Sequence, residues 1–247
     1  MTNGTAGPEE ATPVEQLSSL ILSSTGSLPP DPSPLFLCNF LLCTSVLTKL
    51  DLPLALRKHS RYWSLRGELL GPSALLLHAP SPLAMLLEGS PFLVAPAGAR
   101  NSLGQRLIYA RPRFLDWTVY STASAVACYW FVFERLLLED PIVAERGIVA
   151  VDNLTGVGLQ NMNPAFTCAA VRSISVMPIR WEGAYRVVNN NDLFHSLFFY
   201  VNKFLPRRLL AKMDVLGSKH ERLLEVLPEE AIPEALGGTL KVEGDAI

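Results

Sequence analysis

From Arg180 to Gly238 the chain reads as strand, helix, strand and glycine turn, and this stretch limits the possible folds more than any other. Arg180-Trp181-Glu182-Gly183-Ala184-Tyr185-Arg186-Val187-Val188-Asn189 ends in an apolar strand. Leu193 to Leu205 is a helix, Ala211 to Gly217 contains a second strand, and Leu236-Gly237-Gly238 is the turn. Two strands joined by a crossover helix lie parallel in one sheet. The helix is apolar on most sides. Leu193, Leu197, Val201 and Phe204 form one stripe, Phe194, Phe198 and Leu205 an adjacent one, and Phe199 and Tyr200 continue round. Such a helix is either buried in a core or closes over something apolar. These two alternatives assign the chain different functions.

Composition narrows the choice. Hydrophobic residues make up 49% of the 247 and charged residues only 18%, enough for a large core. The net charge of -2 argues against a nucleic-acid binder, which would be clearly basic. The uncharged stretches Ser33–Thr48 and Trp117–Phe133 are shorter than the roughly 20 apolar residues of a membrane span. Leu69–Leu87 is broken by Pro72, Pro80 and Pro82. Met1–Thr12 carries Glu9 and Glu10 and no basic n-region, so no signal peptide is expected. Cys38, Cys43, Cys128 and Cys168 have neither metal spacing nor a disulfide pattern, as in a reducing compartment. The expected location is the cytoplasm, with peripheral membrane association.

The chain divides into a polar, disordered tail (1–13), a small helical domain (14–75), a connecting segment (76–100) and an α/β domain (101–247). Val14–Ser24, Leu35–Leu47 and Leu54–Leu65 are the expected helices of the first domain, with Trp63 as packing anchor. Ser27–Pro34 is a linker with four prolines. Gly71–Pro96 is expected to be irregular, with a short helix near Pro82–Leu87. In the second domain Arg106–Ala110 is a strand and Asp116–Leu138 a long buried helix, with Asp116 as N-cap. Gly147-Ile148-Val149-Ala150-Val151 is continuously apolar, as in a strand of a sheet covered on both faces. A helix over Asn163–Val176 follows, with Pro164 in its first turn. Lys219–Val226 and Glu229–Ala235 are short helical pieces.

Three chemical readings are weak. Gly156-Val157-Gly158-Leu159-Gln160-Asn161 resembles a dinucleotide fingerprint, but Asn161 replaces the third glycine and the helix does not open from the loop. A loop leaving the strand after Asp152 is the better reading. His59, His78, His195 and His220 fall in no metal spacing. Asp192 and His195 lie one helical turn apart, as in any surface pair, and no G-x-S-x-G elbow is present. No enzyme, cofactor or metal is therefore expected. Lys203, Arg207, Arg208 and Lys212 cluster at the end of the apolar helix. Cations there either complement the helix dipole or meet an anionic membrane.

These residues resemble the CRAL-TRIO lipid-binding family from about Ser102 to Leu240. The resemblance rests on Gly147 to Asp152 with Gly156 after it, Met177-Pro178, Val188-Asn189, Asn202 to Pro206, Lys212 to Gly217, Leu227-Pro228 and Leu236-Gly237-Gly238. Asp51 to Ala55 and Tyr62 to Arg66 are similar to the family's small helical domain, most of all in the α-tocopherol transfer protein and retinaldehyde-binding branch. The resemblance implies a mostly parallel sheet flanked by helices, with a hydrophobic pocket under a helical lid over Asp192–Leu205. It also implies carriage of a lipid cargo rather than chemistry. Candidate lining residues are Tyr129, Trp130, Phe133, Ile148, Ala150, Phe166, Val171, Phe194, Leu197, Phe198 and Val201; each could instead simply pack the core. Phosphatidylinositol-binding members carry a glutamate where Ile179 stands, though Lys212 matches their lysine. Arg180, Arg208 and Lys212 match basic positions that meet phosphoinositides in tocopherol carriers, whereas Glu182 stands where another would be. Arginines usual in the first domain are missing from Leu35–Ser45. The expected cargo is a neutral isoprenoid, tocopherol- or retinoid-like, with phosphoinositide as a membrane cue. Phosphoinositide binding and a cargo-less scaffold are the alternatives.

Overall fold

The computed structural model describes residues 11–25, 34–45, 50–71, 91–96, 98–180, 185–190, 192–202 and 207–242. The first ten residues of the expected tail, most of the expected linker, the expected helix near Pro82–Leu87, and Lys203 all lie outside that set. Five strands form one sheet in chain order: β1 (Phe92–Val94), β2 (Arg106–Ala110), β3 (Ile148–Asn153), β4 (Tyr185–Val188) and β5 (Met213–Gly217). β2 to β5 are parallel, and β1 runs antiparallel along the free edge of β2. The helices are α1 (Pro13–Thr25), α2 (Pro34–Thr44), α3 (Leu52–Leu70), α4 (Thr122–Glu139), α5 (Ile142–Arg146), α6 (Pro164–Val176), α7 (Asp192–Val201) and α8 (Arg207–Leu210). The α7 crossover between parallel β4 and β5 is the one expected from the sequence.

The continuous apolar run in β3 is explained by cover on both faces. Val149 and Val151 point to one side, with Leu107 and Tyr109 of β2. There they pack on Leu223, Leu227, Ile232 and Leu236, from a segment with three short 3-10 turns, His220–Leu223, Glu229–Ala231 and Glu234–Leu236. Ile148 points to the other side, where α4 and α6 pack. This second cluster runs on without a break into Phe36 and Phe40 of α2 and Tyr62 of α3. Tyr62, rather than Trp63, is the anchor of α3. It is fully buried against Phe36, Phe40 and Trp130, while Trp63 is half-buried. Trp63 does hold His59 in place: its indole N–H donates to His59 Nε2 at 3.0 Å. Burial pushes the His59 pKa down to about 4, so the ring is a neutral acceptor in the core.

Two other expectations are corrected. The long helix starts at Thr122, capped by Ser121 Oγ on the Ser124 N–H, and not at Asp116. Asp116 caps a separate turn instead, accepting from the Thr118 N–H at 2.8 Å and its hydroxyl at 2.6 Å. The irregular segment before Pro96 contains β1. An edge strand hydrogen-bonds on one side only, so it tolerates the neighbouring Pro91 and Pro96.

Gly147 joins α5 to β3 with φ +85 and ψ -167, a region open only to glycine. A Cβ there would lie 2.2 Å from the Arg180 carbonyl oxygen, which belongs to the backbone docked on Ala144. Gly147→Ala is expected to cost about 2–3 kcal/mol in chemical denaturation. A loss below about 0.5 kcal/mol would show that the turn relaxes freely.

Candidate functional site

A cavity of about 240 Å3 opens between the sheet and the helices α4, α6 and α7. Its floor is the α4-facing side of the strands: Ile108 and Ala110 of β2, Ala150 and Asp152 of β3, Tyr185 and Val187 of β4, and Met213 of β5. The period of two in each strand selects these residues. Tyr129 and Phe133 of α4 and Phe166, Ala170, Val171 and Ile174 of α6 form one wall. The loop after β3 forms another through Leu154, Val157, Asn161, Met162 and Asn163. Phe194 and Phe198, one turn apart on α7 and stacked at 5.2 Å, form the roof.

The glycine loop after β3 is tied down by its own asparagines. Asn161 accepts from the Gly158 N–H at 2.9 Å and donates to the carbonyls of Arg113 and Leu115. Asn163 caps α6 with its own side chain, accepting from the Phe166 N–H at 3.0 Å. Two of the backbone donors a pyrophosphate would need, on Gly158 and Phe166, are therefore already used.

The lining is mostly apolar, and its one charged side chain among the described residues is Asp152. Asp152 lies on the cavity side of β3, and the Tyr185 hydroxyl donates to its Oδ2. Tyr185 pairs with Ala150 in the β3–β4 register, which puts its ring diagonal to Asp152. Burial pushes the Asp152 pKa up to about 6, and the Tyr185 hydrogen bond offsets part of that rise. Burial, and then the Asp152 charge, hold the Tyr129 and Tyr185 phenols well above their ordinary range.

Tyr129, Phe133, Ala150, Phe166, Val171, Phe194 and Phe198 come together around this cavity. Trp130 and Ile148 do not. Trp130 is fully buried on the far side of α4, its indole N–H donating to Ser173 Oγ at 2.8 Å. Ile148 shares the face of Ala150 but sits one step deeper, inside the helix-packed core. The side chains of Leu197, Val201 and Arg208 lie outside the described set. Of the basic residues, Arg180 stands apart. Arg180 turns to the helical domain and donates to the carbonyls of Leu42 and Ser45. Ile179 beside it is buried in the core. Arg207 is exposed at the start of α8, and Lys212 is half-buried just before β5. Sequence reading passed over Asp152 and Tyr185 as cavity residues. A strand that is apolar throughout does not show which face is which.

α7 is apolar on two sides. Phe194 and Phe198 face inward, while Phe199 is 60% exposed on the outer side. One helix thus presents apolar surface both to the cavity and to the exterior. Among the described residues no helix is long and apolar enough to cross a membrane, and no group of His, Cys, Asp and Glu could hold a metal.

Comparison with known proteins agrees with this geometry. The CRAL/TRIO domain model matches residues 95–238, more than half of the chain. The chain belongs to the CRAL/TRIO domain family. Its match reaches back to within one residue of β1, earlier than the Ser102 start of the sequence resemblance. The crystal structure of Sfh5 superposes with a TM-score of 0.57 at 13% identity, covering 89% of this chain and 85% of that one. The likeness therefore takes in the helical layer as well as the sheet. A curated relative, the phosphatidylinositol/phosphatidylcholine transfer protein SFH12 of Arabidopsis thaliana, is 33% identical over 91 residues. That alignment covers 35% of this chain and 17% of the relative. The family's domains bind and transfer lipids.

Proposed function

We propose that this CRAL/TRIO protein is a cytoplasmic carrier that holds one small hydrophobic lipid, tocopherol- or retinoid-like, in the cavity and exchanges it at anionic membranes through α7. The observation that carries this reading is the open apolar cavity roofed by Phe194 and Phe198. A scaffold that had lost its cargo would have filled that space with side chains, because voids in a core are costly. A ligand burying about 400 Å2 of apolar surface would gain up to about 10 kcal/mol, less the cost of association. The outward apolar face of α7, followed by Arg207 and Lys212, fits transient docking on an anionic bilayer. Phosphoinositide binding is the second reading, favoured by the partial match to SFH12. The inward-turned Arg180 and buried Ile179 give a phosphoinositide head little at that position.

Native mass spectrometry of the purified protein, followed by extraction and identification of any bound lipid, tests the assignment. A neutral isoprenoid supports the carrier, and a bound phospholipid moves the assignment to the second reading. Protein that is empty and takes up no tocopherol, retinoid or phosphatidylinositol on titration defeats both. Phe199→Ser is expected to slow transfer to anionic vesicles about tenfold while leaving ligand stoichiometry unchanged, since one phenylalanine contributes about 1.5–3 kcal/mol on leaving water. Unchanged transfer would remove α7 as the docking element.

A further inference from the structure

We infer that Asp152 and Tyr129 form a polar anchor that selects a lipid whose buried end donates a hydrogen bond and carries no negative charge. The inference rests on the carrier reading and adds the chemistry of the cargo's head. Among the described residues that line the cavity, Asp152 is the only acidic one and none is an arginine or lysine. A carboxylate facing apolar walls is costly unless it is hydrogen-bonded. Tyr185 satisfies Oδ2. Among the described residues Oδ1 has no hydrogen-bond partner, and its side chain stands at the cavity surface. Tyr129 is 8% exposed, lines the same cavity, and its hydroxyl meets no hydrogen-bond partner among the described residues. The Asp152 charge reaches the Tyr129 phenol, which places the two groups in one neighbourhood.

One acceptor and one hydroxyl thus face the cavity, whose other polar lining residues, Asn161, Asn163 and Thr167, bond within the protein. An alcohol or phenol completes both, donating to Oδ1 and accepting from the Tyr129 hydroxyl. A carboxylate or phosphate in the same position would set two negative charges close together where little water screens them, and that arrangement is strongly disfavoured. A long-chain amine could donate as well. A plain hydrocarbon would leave both polar groups without a partner. The same cavity would therefore hold a hydroxyl-ended lipid and reject its oxidised acid.

The test uses probe pairs matched in shape: retinol against retinoic acid, and octadecanol against octadecanoic acid, with octadecylamine added. Binding to the full chain is measured by titration at pH 7.5. Each alcohol is expected to bind at least about tenfold tighter than its acid, the difference of roughly one charge-assisted hydrogen bond. Asp152→Asn is expected to bring alcohol and acid to within about threefold of each other. Tyr129→Phe is expected to weaken the alcohol several-fold and leave the alcohol-to-acid order intact. Melting curves confirm that both variants fold. A wild type that binds both members of a pair equally, or an Asp152→Asn ratio equal to that of wild type, overturns the anchor and leaves the carrier reading standing. Failure of the wild type to bind any of the five probes overturns both. Octadecylamine binding as tightly as octadecanol extends the anchor to cationic donors. An amine no tighter than the acid, with the alcohol still preferred, confines the anchor to neutral hydroxyls.

Discussion

Arg66→Met is expected to cost about 3–5 kcal/mol of stability, because it leaves Glu134 charged and uncompensated in the core. Arg66 on α3 and Glu134 on α4 meet through Nε–Oε1 at 2.8 Å and Nη2–Oε2 at 3.3 Å, with side-chain exposures of 2% and 4%. The Tyr62 hydroxyl donates to the same Oε1. The Arg66 guanidinium also stands 5.5 Å from the centre of the Trp63 ring. These groups join the helical layer to the helix that walls the cavity, so their loss should loosen that joint first. At about 2–4 °C per kcal/mol for a chain of this size, the melting temperature should fall by roughly 6–20 °C. The pair itself need not be strongly stabilising, since desolvating two charges offsets most of their attraction. The triple replacement Arg66→Met, Glu134→Leu, Tyr62→Phe should therefore recover most of the loss. Differential scanning calorimetry of the single and triple variants checks both statements. A single variant losing less than about 1 kcal/mol would mean that water reaches Glu134 in the folded protein.

This joint also shows how far the sequence could be read. The helices were visible from their apolar periods, and Asn163-Pro164 marked the start of α6 because a cap and a proline act locally. Ser121 and Asp116 are both good caps, and only the fold decides which turn continues into α4. β1 was hidden because three residues between prolines carry no period, and an edge strand is defined by its partner β2. Arg66 and Tyr62 were legible as part of the family resemblance. Their partner Glu134 lies 68 residues beyond Arg66, in a helix that reads simply as apolar. The cavity was legible as a set of greasy segments. Asp152 was not legible as a cavity residue, because the apolar run before it does not show which face of β3 it occupies. The placing of Arg180 follows from the same limit, since it is spent on α2 and Ser45 after it.

Asp152→Asn is expected to make the protein more stable at neutral pH while removing its preference for alcohols. Asp152 has its pKa pushed up to about 6 by burial, against an ordinary value of 3.8. The uncovered part of its side chain faces the cavity, so bulk water gives the charge little relief. The folded protein therefore holds this proton more tightly than the unfolded chain does, and ionisation is penalised only in the fold. The contribution is fully present below about pH 3.8 and is lost as the pH rises through about 6. At about 1.4 kcal/mol per pKa unit the whole difference amounts to about 3 kcal/mol. Asparagine keeps the shape and never ionises. The variant should match wild type at pH 4 and exceed it by up to about 3 kcal/mol at pH 8, with the gain growing mainly between pH 4 and 6. Urea unfolding of both proteins across that range isolates this one group, because every other carboxylate is common to the two. A variant less stable than wild type at pH 8 would mean that the carboxylate is better solvated than its surroundings allow. A bound alcohol acts in the opposite sense. By donating to Oδ1 it favours the ionised form, and ligand should therefore stabilise wild type more than Asp152→Asn above pH 6. An acid kept in an apolar cavity at a cost in stability is what a specificity site looks like, since its penalty is relieved only when the right head is bound.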